Sequence, residues 1–276
     1  MGEFIAFLRK NKSFVFFSIL ALILVSISVG APYLAPNDPL KTNLAQALQG
    51  RSAEYPLGTD QLGRCLLSRL LYGTGTSLKM TFLLVTIVVV IGTAIGTAAG
   101  YLGRRVDTLI MRISDVYLAF PGLVFAIAIA GMLGASLMNV IIALAAVSWT
   151  KYTRVSRSLV MATKEKEYIL AAKMGGAKQY QVILKYILPN ISPALIVMAA
   201  MDIGVMMLEI SALSFLGLGA QPPTPEWGYM LSEGRNYMQT EPWLMIYPGM
   251  AIFTTVMIFN LLGDGLRDIL DPNKEY

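Results

Sequence analysis

Residues 165–190 read EKEYILAAKMGGAKQYQVILKYILPN. The stretch opens charged, carries Gly175-Gly176 near its centre and closes on Pro189. Long apolar runs flank it on both sides. Within it, Tyr168, Ala171, Ala172 and Gly175 recur at helical spacing and so share one face. The paired glycines permit a sharp turn that side chains would obstruct. A second short helix is predicted over 179–188, with Val182, Ile183 and Tyr186 along one side and Pro189 as its end. The expected product is a helix–turn–helix knob with small residues at its tip. Such a knob can enter a groove on a partner protein. An amphipathic loop lying on a membrane surface satisfies the same pattern.

The surroundings of the knob are apolar. Of 276 residues, 55% are hydrophobic and 14% are charged, where a soluble domain carries about 25% charged residues. Mean hydropathy is +0.61. The solvent implied is lipid. Cys65 is the single cysteine and there is no histidine. An intrachain disulfide, a Cys/His zinc site and histidine-based catalysis are therefore excluded. The net charge of +5 fits the basic cytoplasmic loops of a membrane protein; nucleic acid is not an expected partner.

A helix needs about 20 apolar residues to cross the hydrocarbon core. Six runs qualify as predicted spans: 14–34, 77–102, 120–137, 139–160, 191–218 and 243–262. The first has features of a signal peptide, since Arg9, Lys10 and Lys12 precede it and Val29-Gly30-Ala31 resembles a cleavage site. Its apolar run exceeds the usual 7–15 residues and Pro32 follows the would-be cut, so it is read as a retained span. The fold class expected is an all-α integral membrane protein of about six spans. Its parts are a cytoplasmic N-terminus (1–13), a first span with an extracytoplasmic segment (14–76), and a membrane core (77–276) that includes the cytoplasmic loop 161–190.

Lys and Arg set the orientation. With the N-terminus inside, sixteen of the 22 fall on the cytoplasmic side, among them Lys12, Arg104, Arg105, Lys151, Arg154, Arg157, Lys164, Lys173 and Lys178. The outside keeps Lys41, Arg51, Arg64, Arg69, Lys79 and Arg235. Both termini and the knob are thus expected in the cytoplasm.

The knob resembles the cytoplasmic signature loop of ABC importer permeases. Ala171-Ala172, Gly176 and Leu188-Pro189 stand where that pattern has its alanine pair, glycine and closing Leu-Pro. Leu170 replaces the usual opening acid, with Glu167 one turn earlier, and Tyr186 replaces an isoleucine. LGTDQLGRCLLSRLLYGTGTSL (57–78) is similar to the periplasmic signature of the peptide/nickel branch, with Cys65 in place of an aspartate. RISDVYLAFPGLVFAIAI (112–129), SFLGLGAQPPTPEWGYML (214–231) and NLLGDGLRDILDP (260–272) resemble further segments of it in family order. The resemblance is to the second of the two permeases in such an importer. It implies a type I importer fold in a bacterial cytoplasmic (inner) membrane. It also implies a second permease, two ATPase subunits and an extracytoplasmic solute-binding protein as partners. No Gly-x-x-x-x-Gly-Lys-[Ser/Thr] loop is present, so ATP and Mg are expected on the ATPases and no cofactor in this chain. By this resemblance Glu167, Ala171, Ala172, Gly175, Gly176, Ala177 and Pro189 couple the chain to the ATPase, and the protein is a permease rather than an enzyme. A stand-alone channel or a membrane enzyme are the rival classes.

Two further patterns lie inside the spans. Gly92, Gly96 and Gly100 repeat a small-xxx-small motif, which lets helix backbones approach closely. A seam within the bundle or with the partner permease is expected; a glycine-tolerant lipid-facing helix is the alternative. In the fifth predicted span, Met198, Asp202, Met206 and Glu209 recur on one face. Ionisable residues in a span face a cavity or a partner, so this face is expected to line the translocation pathway. Pairing of either acid with a basic group of the partner permease is the alternative. MDIGVMMLEISALSFLGLG (201–219) resembles the nickel type more than the dipeptide type, through Asp202-Ile203-Gly204 and Met206-Met207-Leu208. The resemblance thus implies nickel, as ion or chelate, as the solute, with dipeptides or oligopeptides as the alternative. With no histidine, no tightly bound metal is expected; weak ligation suits a conduit. The loop 220–242, with Pro222, Pro223, Pro225 and Trp227 and with Trp243 just after it, is expected to reach into the open binding protein or cap the pathway; a structural loop anchored at the membrane interface is the alternative.

Overall fold

The computed structural model describes residues 11–270. Arg9, Lys10 and Lys274 of the charge pattern, and Asp271-Pro272 of the last motif, lie outside them. Among the described residues there are ten α-helices and no strand beyond a single bridge between Thr59 and Cys65.

Helix α1 (Lys12–Leu34) is apolar all round and largely exposed on the isolated chain, as a lipid-facing span must be. Helix α2 (Leu66–Leu102) starts eleven residues before the expected span. At 1.5 Å per residue it is about 55 Å long, against a hydrocarbon core of about 30 Å, so it projects beyond the bilayer. Helix α3 (Arg104–Leu118) is amphipathic, and α4 (Gly122–Leu133) leaves it at 87°. The corner falls at Phe120-Pro121, because a residue before proline is driven out of the helical region. Helix α4 has 12 residues, or about 18 Å, and cannot cross by itself.

Helix α5 (Leu137–Lys164) runs unbroken past the expected end at 160 and carries Lys151, Arg154 and Arg157 within it rather than in a loop. Among the described residues, length and apolarity together support four spans, or five if the bent pair α3–α4 counts as one, against the six expected. The charges in the second half of α5 and the corner at Pro121 account for the difference.

After α5 come α6 (Glu167–Met174) and α7 (Gln179–Val182). Helix α7 does not stop at Pro189. A π-helical turn (Ile183–Ile187) joins it to α8 (Leu188–Phe215), giving one continuous rod. Leu188 donates to the Ile183 carbonyl five residues back. The wider π turn relieves the proline ring's clash with the preceding carbonyls and absorbs its missing donor. The chain closes with α9 (Trp227–Gly234) and α10 (Trp243–Leu270). The core lies where α2, α5, α8 and α10 meet, around Leu84, Val88, Ile141, Leu144, Tyr152, Leu213 and Ile258.

Candidate functional site

The knob is built by a helix C-terminus. Gly176 has φ +83°, a conformation L side chains avoid. Its N–H donates to the Lys173 carbonyl at 3.0 Å and the Ala177 N–H to the Ala172 carbonyl at 3.1 Å. This double bond pattern is a Schellman cap with glycine at its left-handed position. The expected reason for the glycines therefore changes. Space around Gly176 is open, so nothing would obstruct a side chain; the backbone angle makes the demand. Gly175, at φ −73°, makes none. Glu167 begins α6, where its charge meets the positive end of the helix dipole. Gln181 accepts from the Lys178 N–H at 2.8 Å and steadies the start of α7. Ile169, Val182 and Ile187 point inward and are fully buried. Met174 (90% exposed), Tyr180, Leu184, Leu170 and Tyr168 point out. Glu167, Ala171, Gly175, Gly176 and Pro189 are exposed, and Ala172 and Ala177 half-buried.

The three glycines of α2 lie against α5. A Cβ on Gly92 would stand 2.5 Å from Tyr152 Cβ, on Gly96 2.4 Å from the Thr153 carbonyl, and on Gly100 2.8 Å from the Arg157 carbonyl. Thr153 Oγ1 donates to the Gly92 carbonyl at 3.1 Å and Lys164 Nζ to the Gly100 carbonyl at 2.8 Å. The seam is within this bundle.

Asp202 has partners on its own chain. Lys151 Nζ donates to Oδ1 at 2.6 Å, and the Tyr152 hydroxyl to Oδ2 at 2.9 Å. The carboxylate is 7% exposed and the lysine 57%. Sequence reasoning missed Lys151, although it lies in mid-helix, where a cation needs a reason. Met206 is buried, Met198 and Glu209 are half-buried, and Val205 and Leu208 beside them are exposed. Glu209 interacts electrostatically with both Asp202 and Lys151.

The end of the bundle away from the knob, the outer end on the expected orientation, holds a second group that sequence reasoning treated as separate motifs. Arg64 pairs with Asp60 and with Glu233, each at 2.6 Å; Arg69 pairs with Glu233 at 2.6 Å and Asp60 at 3.3 Å. The two arginines are almost wholly buried. Asp60 also accepts from the Leu62 and Arg64 N–H groups. Gly63 (φ +72°) lets the strap pass Asn43, whose carbonyl a Cβ would meet at 1.8 Å. Nearby, Glu226 caps α9 by accepting from the Gly228 and Tyr229 N–H groups, and Ser77 of α2 donates to it. Burial pushes its carboxyl above the usual range, against the pull of those hydrogen bonds. Trp227 is buried within the chain and donates its indole N–H to the Leu70 carbonyl at 3.0 Å. The signal was available: Arg64 and Arg69 stand outside against the charge bias, with an acid four residues before the first.

Residues 92–276 match the model of the family described as binding-protein-dependent transport system inner membrane component, and residues 1–50 match the N-terminal transmembrane domain of oligopeptide transport permease C. This chain belongs to that family of importer permeases. It is 45% identical to the dipeptide transport system permease of Alkalihalophilus pseudofirmus over 97% of this chain and 88% of the relative. It is 41% identical to the nickel transport system permease of Escherichia coli K12 over 92% of this chain and 93% of the relative. Against the glutathione transport system permease of Pectobacterium atrosepticum, identity is 42% over 96% of this chain and 88% of the relative. Among solved structures, the inward-facing MetNI methionine ABC transporter shares the fold, with a TM-score of 0.58 at 16% identity over 75% of this chain and 98% of that one. This permease is a multi-pass membrane subunit of an ABC importer and not itself an enzyme.

Proposed function

We propose that the permease forms half of the pathway of an ATP-driven importer for small zwitterionic peptides, with its termini and knob in the cytoplasm of the bacterial inner membrane. A second permease supplies the other half, an extracytoplasmic binding protein delivers the solute, and two ATPases bind ATP and Mg below. The observation that carries the peptide reading is the state of Asp202. Both its oxygens are engaged within the chain, so it does not offer the open carboxylate that a metal ion would seek. A metal ion moving along this face meets an exposed lysine ammonium, and like charges repel. A peptide carries a carboxylate for Lys151 and an ammonium for Glu209. The knob supports coupling: its capped turn is stiff and its outward apolar side chains suit a cleft on an ATPase. Closure of the ATPases then moves the rod of α7 and α8 as one body.

Uptake of labelled dipeptide and of labelled nickel by cells carrying the complete importer tests the reading. Dipeptide is taken up, and Lys151→Gln lowers that uptake about tenfold, as loss of one charge-assisted hydrogen bond implies. Nickel uptake that survives Lys151→Gln, with no dipeptide uptake, would overturn it. Nickel as a chelate remains the second reading, because Met198 and Glu209 share the same face.

A further inference from the structure

An apolar groove of about 680 Å³ runs between α2 and α8. It follows α2 from Val89 to Leu102 and ends beside Gln179 and Ile183 of the knob's rod. Thirteen residues of helix cover about 20 Å, and one leaflet contributes about 15 Å of hydrocarbon. The groove therefore spans the hydrocarbon depth of one leaflet with about 5 Å to spare, enough to reach the headgroup region. On α8 the lining residues Ser192, Leu195 and Ala199 lie within about 80° of Asp202, so the groove flanks the Asp202 face nearer the knob.

Thr93, Thr97, Ser192 and Gln179 break the apolar wall; Thr93 already accepts from the Ser156 hydroxyl and Ser192 already donates to the Pro189 carbonyl. Thr97, which lines it, is 6% exposed, and its hydroxyl has no hydrogen-bond partner. A buried unsatisfied hydroxyl implies an acceptor that belongs there. At the knob end the groove meets cations. Lys173 Nζ lies 5.6 Å over the ring of the lining residue Tyr101, Arg104 and Arg105 follow lining Leu102, and Lys178 precedes lining Gln179. The acids of this region are Glu165 and Glu167, exposed at the junction of α5 and α6, and Asp107 in the first turn of α3, which is already paired with Arg157.

We infer that the groove holds one acyl chain of an anionic phospholipid, with an ester carbonyl on the Thr97 hydroxyl and the phosphate among Lys173, Arg104 and Arg105. On the orientation proposed above, this is the cytoplasmic leaflet, whose negative surface attracts such a cluster. Thr97 lies five residues, or about 7.5 Å, deeper than the mouth, which is the depth an ester needs beneath its phosphate. The competing occupant is a helix of the second permease. A permease obeying the same charge bias brings further Lys and Arg to this side and leaves the cations at the mouth uncompensated. A lipid wedged beside the π turn and Gln179 would brace the rod that carries the knob.

The test uses the assembled importer, reconstituted in phosphatidylcholine with or without phosphatidylglycerol, and counts retained lipid by native mass spectrometry. Wild type retains phosphatidylglycerol in preference to phosphatidylcholine. Ala98→Trp, which fills the groove, loses one such lipid, and Thr97→Val retains it less well. Arg104→Gln and Arg105→Gln each weaken retention about fivefold. Where Ala98→Trp fails to assemble, the threonine and arginine variants decide. Equal retention of the two lipids, or an unchanged count in all variants, overturns the inference. So does a disulfide formed between Ile196→Cys and a cysteine scanned along the second permease, which would put a helix in the groove.

Discussion

The two ends of this permease are built on opposite principles. The outer end buries its charges: Asp60, Arg64, Arg69 and Glu233 close a neutral four-membered network inside protein, and α9 is locked against α2 by Glu226 and Trp227. The inner end exposes its apolar groups: Met174, Tyr180 and Leu184 stand on a knob held to the bundle by three inward side chains. Buried ion pairs tolerate little displacement, because separating them leaves a desolvated charge. An exposed apolar patch is complete only when a partner covers it. The difference reads as a rigid outer frame and an inner surface made for docking.

That contrast can be broken at its inner side first. Gly176→Arg forces a side chain into a left-handed turn and places a charge on the docking surface, and Ala172→Asp does the latter alone. Both are expected to reduce transport to background while membrane insertion is unchanged. The check is solute uptake beside ATP hydrolysis stimulated by the binding protein; hydrolysis that still responds would refute the coupling role. At the outer end, Arg69→Ala leaves Arg64 alone to neutralise two buried carboxylates and is expected to cost about 3–5 kcal/mol. Thermal unfolding of the purified complex measures it, and ATPase binding is expected to be retained.

Between the ends, Gly96→Ala presses a methyl against the Thr153 carbonyl and is expected to cost about 1–3 kcal/mol. A shift in melting temperature checks it, and the same change at Gly131 of α4, where space is open and the backbone is helical, is the control for an added methyl without a clash. The smallest effect belongs to the exposed pair of Arg154 and Asp115, whose side chains are 44% and 53% exposed. Asp115→Asn is expected to change stability by less than about 1 kcal/mol. A large loss there would mean that α3 is clamped as firmly as the outer network.

The shape of the knob was legible in the chain. Its paired glycines point to a short helix ending in a sharp turn, because local backbone chemistry needs only neighbouring residues; that the demand comes from a left-handed angle at Gly176 and not from crowding was visible only in the structure. The small-xxx-small repeat announces a close helix contact for the same reason. The partner of Asp202 was not legible, because Lys151 is fifty-one residues away and periodicity within one span says nothing of the next. Pro189 misled, since a π turn carries the helix through it only when both sides are held by packing.

Composition and the length of apolar runs were sufficient to settle an all-helical membrane protein, since each is a property of contiguous sequence in contact with a single solvent. Which helix meets the glycine stripe, which carboxylates are neutralised, and how the motifs around Asp60 and Glu233 join into one network were decided by tertiary structure. Those outcomes depend on distances between segments remote in the chain, and buried charges can be satisfied only after the helices have been brought together.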